Sequence, residues 1–202
     1  QIAKVIGWKT GEHPEPAPGL GVARFAEGLD HPRSLLRLPN GDVLVAETGG
    51  PHSTGGGIEG AITRYLMNKA GAGGMPANRI TLLRDADGDG RAEVKSAFLT
   101  GLNSPYGMAL VGNTLYVANT DALLAFPYKD GDTRITAKGR KIVNLPHGVR
   151  GEHWTRSLIA SPDGKMLYVG IGSATNIADE GMDLETNRAA IFEINLTTGD
   201  NR

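Results

Sequence analysis

Gly28-Leu-Asp-His-Pro-Arg-Ser-Leu-Leu-Arg-Leu-Pro-Asn-Gly-Asp-Val-Leu-Val-Ala-Glu-Thr48 holds a short strand, a tight turn and a buried strand, in that order. The turn is built on Gly with Asn and Asp, residues that tolerate the left-handed corner a hairpin needs. The same order recurs in Gly101-Leu-Asn-Ser-Pro-Tyr-Gly-Met-Ala-Leu-Val-Gly-Asn-Thr-Leu-Tyr-Val-Ala-Asn-Thr120. It recurs again where Arg156-Ser-Leu158 leads into Pro162-Asp-Gly164 and then the apolar, β-branched run Met166 to Ile171. Leu35, Met108 and Leu158 occupy matching places and lie 73 and 50 residues apart. An all-β repeat near 50 residues has the size of a propeller blade, and the long first interval marks an insertion.

The insertion opens at Thr54-Gly-Gly-Gly57 and closes at Gly71-Ala-Gly-Gly74. Between them Ile58, Ile62, Tyr65, Leu66 and Lys69 follow a helical period, which predicts a short helix over Glu59 to Lys69 laid on one face of the propeller. An outer blade strand is the alternative. Arg79–Leu83 and Val94–Leu99 then flank an acidic tip, Asp85-Ala-Asp-Gly-Asp-Gly90. Asp121–Phe126 with Arg140–Leu145 supply outer strands for the second blade, and Ala189–Leu196 with Thr197–Asp200 for the third. Val22 to Leu29 reads as a further strand, after a Pro- and charge-rich lead-in over residues 1–21. Residues 22–202 therefore read as a partial β-propeller of about three blades. Closed propellers hold about four to eight, so further blades are expected on this or another chain.

Bulk composition excludes several classes. The 202 residues carry a net charge of −1, so no basic field points to nucleic acid and no acidic excess to disorder. The 29 glycines and 11 prolines suit an architecture of many turns. The absence of cysteine excludes disulfides. No apolar run approaches the roughly 20 residues that span a bilayer. The sequence begins at Gln1 rather than Met, which is consistent either with a cleaved signal peptide or with a chain trimmed at its start.

Glu152 and His153 stand immediately before the third inner strand. A polar pair on a loop held by a rigid hairpin is a common way to present a catalytic base, and a hydrogen-bonded rim histidine is the plainer alternative. His147 is the rival base; His31 and His52, beside proline, read as rim or turn residues. Asp85, Asp87, Asp89 and Glu93 alternate around a glycine turn in the manner of a calcium loop, or of a solvated hairpin tip. Ser96 stands where an EF-hand places its bidentate glutamate, so any calcium there would be structural. Tyr106 and Trp154 are candidates for the walls of a sugar pocket, with Asn103 beside them, and Trp154 equally for a packing role between blades.

The order and spacing of Gly28–Arg33 with Val45-Ala-Glu47, Arg79–Gly90, Asn103–Gly107 and Glu152-His153 resemble the sorbosone dehydrogenase branch of the soluble, pyrroloquinoline quinone (PQQ)-dependent sugar dehydrogenases. The resemblance runs from about Val22 to the end. It implies a six-bladed propeller, export to the periplasm or beyond, and oxidation of a sugar, alcohol or aldehyde with transfer of electrons to an acceptor. It implies that His153, with Glu152 beside it, removes the hydroxyl proton while hydride passes to the quinone. Arg33 and Arg156 are the candidate partners for PQQ carboxylates, since a tricarboxylate needs cations. Residues of later blades that complete the cofactor and calcium sites in that family have no counterpart here, and Ser173-Ala-Thr-Asn176 stands where an acid is expected. Two other readings compete. One is a calcium-dependent, lactonase-like hydrolytic propeller using Glu47, Asn103, Asn119 and Asn176. The other is a non-enzymatic propeller that binds a partner on one face.

Overall fold

The computed structural model describes residues 6–9, 11–51, 57–69, 77–148, 153–178 and 181–202. Glu152, His52 and the glycine runs at 54–56 and 71–74 lie outside the described residues.

Each strand–turn–strand unit of the sequence forms the first two strands of an antiparallel sheet. The first sheet runs β1 (Pro32–Arg37), β2 (Val43–Glu47), β3 (Arg79–Arg84) and β4 (Val94–Leu99), each paired with the next. The second repeats this order with β5 (Met108–Val111), β6 (Thr114–Ala118), β7 (Ala122–Pro127) and β8 (Arg140–Asn144). The third holds β9 (Arg156–Ala160), β10 (Met166–Ile171) and β11 (Ala190–Asn195). These are three blades of a β-propeller.

The turns form as their residues dictate. Gly41 takes φ 95°, Gly112 φ 54° and Gly164 φ 69°, at the left-handed corners of the three inner hairpins. Gly112-Asn113 closes a two-residue loop between Val111 and its partner Thr114. Ser161 and Met166 close the third hairpin, Ser161 N–H donating to the Met166 carbonyl at 2.9 Å.

Stacking of the blades follows from the period of two along each strand. In β6, Leu115 and Val117 join the core shared with blade one, including Leu44, Ala46, Ile80 and Leu82. Their neighbours Tyr116 and Ala118 point the other way and join Leu167, Val169 and Ile171 of blade three. A central blade must bury both faces, which is why its strands read as unbroken apolar runs. On blade three the face turned away from blade two leaves Ile159 and Ile191 open, 65% and 71% exposed.

Several expectations are modified. Val22–Leu29 is not a strand: it runs beside the β3–β4 hairpin, held by Ala92 N–H to the Phe25 carbonyl (2.9 Å) and Lys95 Nζ to the Glu27 carbonyl (3.0 Å). Gly28 at φ 67° turns the chain out of any ladder there. The inserted helix α1 forms over Gly57–Lys69, two residues earlier than expected, and excludes the outer-strand alternative. Its apolar stripe is not buried: Ile58, Ile62, Tyr65 and Leu66 all face solvent. Thr197–Asp200 is a turn, its N–H groups at Thr197 and Thr198 capped by the Asn195 side chain at 2.8 and 3.1 Å. Beyond it Arg202 and Glu193 exchange backbone bonds of 2.9 and 3.1 Å, an isolated bridge against β11 rather than a strand.

The first strands lie side by side, β1 against β5 and β5 against β9. The tightest point is Gly107, whose N–H donates to the Arg156 carbonyl at 2.9 Å. A Cβ there would sit 2.5 Å from that carbonyl oxygen and 2.5 Å from Leu158 N. Gly107→Ala is expected to cost about 1–3 kcal/mol, the range for overpacking, because both obstacles are backbone. Gly21→Ala, where a Cβ meets nothing within 4 Å, is the control. Urea unfolding followed by far-UV circular dichroism checks the pair.

Candidate functional site

The strand registers place one set of loops together. Pro32 pairs with Glu47, and Glu47 with Arg79, so the entry to β1 and the β2–β3 connection share one end of blade one. By the same register logic the loops before β5 and β9, and those joining β6–β7 and β10–β11, share that end. Arg33, Asn103, Tyr106, His153, Trp154 and Arg156 all lie there. The acidic turn at Asp85–Glu93 lies at the opposite end, since Arg84 pairs with Val94 across it.

Trp154 is the meeting point of the three blades. Arg33 of blade one places Cζ 5.8 Å from its ring centroid, a contact worth about 0.5–1 kcal/mol at an exposed site. Tyr106 of blade two meets it edge-on, with centroids 6.2 Å apart and planes at 82°. The β2–β3 loop passes so close that a Cβ on Gly50 would lie 2.6 Å from the indole Nε1. Thr120 Oγ1 donates to the Trp154 carbonyl at 3.0 Å. The packing role foreseen for Trp154 is thus present, with Tyr106 as its partner. Asn103 is exposed, and its carbonyl accepts from Thr120 N–H at 3.0 Å.

His153 precedes Trp154 in a left-handed backbone conformation, φ 47°, which is uncommon for a residue with a side chain. Gly172 makes room for it: a Cβ there would sit 2.8 Å from the His153 Cβ. The ring is exposed and its Nδ1 lies 3.1 Å from the Ser173 carbonyl oxygen and 3.1 Å from Ser173 Oγ. A carbonyl only accepts, so in the neutral ring Nδ1 carries the proton and Nε2 presents its lone pair. His147 Nδ1 lies 3.1 Å from the carbonyl of its own neighbour Leu145. His31 Nδ1 lies 2.6 Å from Asp30 Oδ1.

Behind this loop lies Arg156, 1% exposed. Its Nη1 donates to the His153 carbonyl at 2.7 Å and the Thr155 carbonyl at 2.9 Å, and its Nη2 to the Pro146 carbonyl at 2.6 Å. Of its three guanidinium nitrogens, Nε alone finds no partner among the described residues. Burial, and then the nearby charge of Arg188, bring its pKa down to about 10, so it remains a cation at neutral pH. Arg188 donates Nη1 to the same Pro146 carbonyl at 2.8 Å. Sequence reasoning missed Arg188, Ser173, Gly50 and Thr120. Only the glycine-rich context of Gly50 and the position of Ser173 after an inner hairpin hinted at them.

The entry to β1 is anchored by Glu47, fully buried at the end of β2. Arg79 grips it through Nε and Nη2, both at 3.0 Å, and Thr81 Oγ1 and Asp30 N–H also donate to it. Burial pushes the Glu47 carboxyl up, but these donors outweigh it and hold the pKa below the ordinary 4.5. Glu47 is therefore structural, its carboxylate taken up by donors of its own blade.

In the acidic turn, Asp85, Asp87, Asp89 and Glu93 bring one carboxylate oxygen each within 4.8 Å of the others. Such a donor set suits a hard cation. The carboxylates also accept from their own turn, Asp85 from Gly88 N–H at 2.7 Å and Gly90 N–H at 2.9 Å.

Comparison with known proteins agrees with this architecture. The model of the TrAA12-like family matches residues 14–202, and the chain belongs to that family. A search of curated proteins by sequence gave no match. Among solved structures, the iodide structure of Trichoderma reesei Carbohydrate-Active Enzymes Family AA12 superposes with TM-score 0.62 at 19% identity, over 86% of this chain and 38% of that one. The holo PQQ domain of pyranose dehydrogenase from Coprinopsis cinerea gives 0.60 at 17% identity, over 92% and 40%. The PQQ-bound aldose sugar dehydrogenase of Streptomyces coelicolor gives 0.55 at 18%, over 87% and 48%. The chain thus spans less than half the length of each.

Loss of the Glu47 anchor has a predictable sign. A carboxyl whose folded pKa is depressed stabilises fully above its unfolded value near 4.5 and ceases to do so as pH falls through the folded value. Glu47→Gln is expected to lower stability at pH 7 by about 2–3 kcal/mol, since Arg79 is partly exposed and retains some solvation. The variant is also expected to lose part of the wild-type decline in melting temperature between pH 5 and 3, measured by calorimetry.

Proposed function

We propose that this chain supplies three blades of a PQQ-dependent oxidoreductase, acting on a sugar or a related alcohol or aldehyde such as sorbosone, with His153 as the general base. The observation that carries the reading is the pairing of His153 Nδ1 with the Ser173 carbonyl at 3.1 Å, which leaves Nε2 without a partner among the described residues on an exposed ring at the hub end of the blades. Membership of the TrAA12-like family supports it, as do the PQQ-bound relatives.

The residues present fit part of a cradle for such a cofactor. Arg33 offers an exposed guanidinium above the Trp154 ring, suited to a carboxylate. Arg156 offers only Nε. Further cations would come from blades beyond these three. When bound, PQQ supplies the capacity to accept a hydride, which no side chain here has.

The chain's own contribution is to orient and deprotonate. Nε2 of His153 takes the proton from the substrate hydroxyl. The Ser173 carbonyl then faces the Nδ1–H of the imidazolium and stabilises its charge. Tyr106 and the half-buried Trp154 wall the approach, and the exposed Asn103 offers an amide to substrate hydroxyls. Glu152, next to His153 in sequence and outside the described residues, is the proposed acidic partner of the base. Calcium, at the acidic turn, would act as a structural ion far from this chemistry. Export to the periplasm or medium fits the reading, and among the described residues no helix is long and apolar enough to cross a membrane.

The test uses the protein containing these blades, supplied with PQQ, calcium and an artificial electron acceptor. His153→Ala is expected to lower kcat by about 10²–10⁴-fold, the usual weight of a general base, while His147→Ala leaves it near wild type. Equal activity in the two variants, or lactone cleavage without quinone, overturns the reading.

A further inference from the structure

The connection carrying His153 leaves β8 at Asn144 and enters β9 at Arg156. A loop of this length costs conformational entropy to hold in one shape, and a base on it is useful only if its ring keeps one orientation. His153 moreover sits in a backbone region that L-residues disfavour, φ 47°. Something must over-determine that geometry.

The structure assigns that task to Arg156: we propose that it is a positioning residue whose forked guanidinium ties the two ends of the loop, the Pro146 and His153 carbonyls, and so fixes the ring orientation of His153. The inference rests on His153 being the base. The contacts carry it. Nη2 holds the start of the loop at 2.6 Å and Nη1 holds its end at 2.7 Å. One planar group therefore fixes the separation of two main-chain atoms seven residues apart in sequence. The guanidinium cannot move away, being 1% exposed, and its own carbonyl is pinned by Gly107 N–H at 2.9 Å. Arg188 reinforces the Pro146 end at 2.8 Å. From the other side Gly172 and Ser173 of the β10–β11 connection receive the imidazole.

The arrangement explains a buried arginine bound to main-chain carbonyls. A guanidinium out of water is costly, and only several well-aligned acceptors make it tolerable. A smaller apolar side chain would fill space at lower cost but would hold neither carbonyl. Lysine is not equivalent: a single ammonium lacks the rigid fork that spans two fixed acceptors.

The test needs neither cofactor nor turnover. Uniformly 15N-labelled full chain is examined by NMR, with the His153 ring resonances assigned by their loss in His153→Ala. Wild type is expected to give the signature of one tautomer, protonated at Nδ1. In Arg156→Gln that signature is expected to collapse to a mixture of tautomers, while backbone resonances of blade one keep their positions. Because Arg156→Gln removes a buried contact set and can unfold blade three, Arg156→Lys is measured alongside and is expected to give a partial loss of the Nδ1–H signature. A wild-type tautomer retained in a folded Arg156→Gln or Arg156→Lys chain overturns the proposal. Retained oxidation in His153→Ala would instead remove the base reading, leaving the NMR result to decide Arg156 on its own.

Discussion

The absent side chain at Gly107 is the constraint on which the rest depends. It lets the entry of β5 come within hydrogen-bonding distance of the Arg156 carbonyl at the entry of β9. That contact sets the angle at which blade three leans on blade two. The two apolar faces then close over each other, with Leu123, Leu167, Val169 and Ile194 buried between them. Burial of this kind supplies the bulk of the driving force, at roughly 25 cal/mol per Å², but it is not directional. The backbone bond at Gly107 supplies the direction.

From this point the hub is wired through shared atoms. Arg156 lends its carbonyl to Gly107 and its guanidinium to the His153 and Pro146 carbonyls. Trp154, between His153 and Arg156, is touched by Arg33 and Tyr106 and backed by Gly50. Arg33 in turn donates Nε to the Thr48 carbonyl at 3.1 Å, beside the Glu47 anchor. Each of the three blades thus contributes one residue to contacts centred on Trp154, and His153 sits beside it in sequence. An exposed histidine held by rigid strands keeps solvent access without losing its orientation.

Much of the fold was legible because propeller blades announce themselves locally. Gly with Asn or Asp between apolar runs fixed the hairpins, and the recurrence of that unit gave the blades. Trp154 was read two ways, and the packing way is the one visible in the contacts. The site was harder to read. Arg156 invited assignment to a cofactor carboxylate because an arginine near a candidate base suggests an anion, whereas its Nη groups face carbonyls of its own chain. Nothing in the sequence distinguishes those two partners. Arg188 lies over thirty residues further on and converges on Pro146 only through the β10–β11 connection. The α1 stripe failed for a different reason: a helical period reports which residues share a face, not whether anything covers that face.

Hydrogen exchange at the Gly107 amide tests the central claim most directly. If blades two and three meet through its bond to the Arg156 carbonyl, this amide exchanges as slowly as the β5–β6 ladder, for example Ala118, although it lies outside any strand. Exchange at the rate of an open loop, with the ladder still protected, would mean that the blades do not meet there and that the hub described above does not exist.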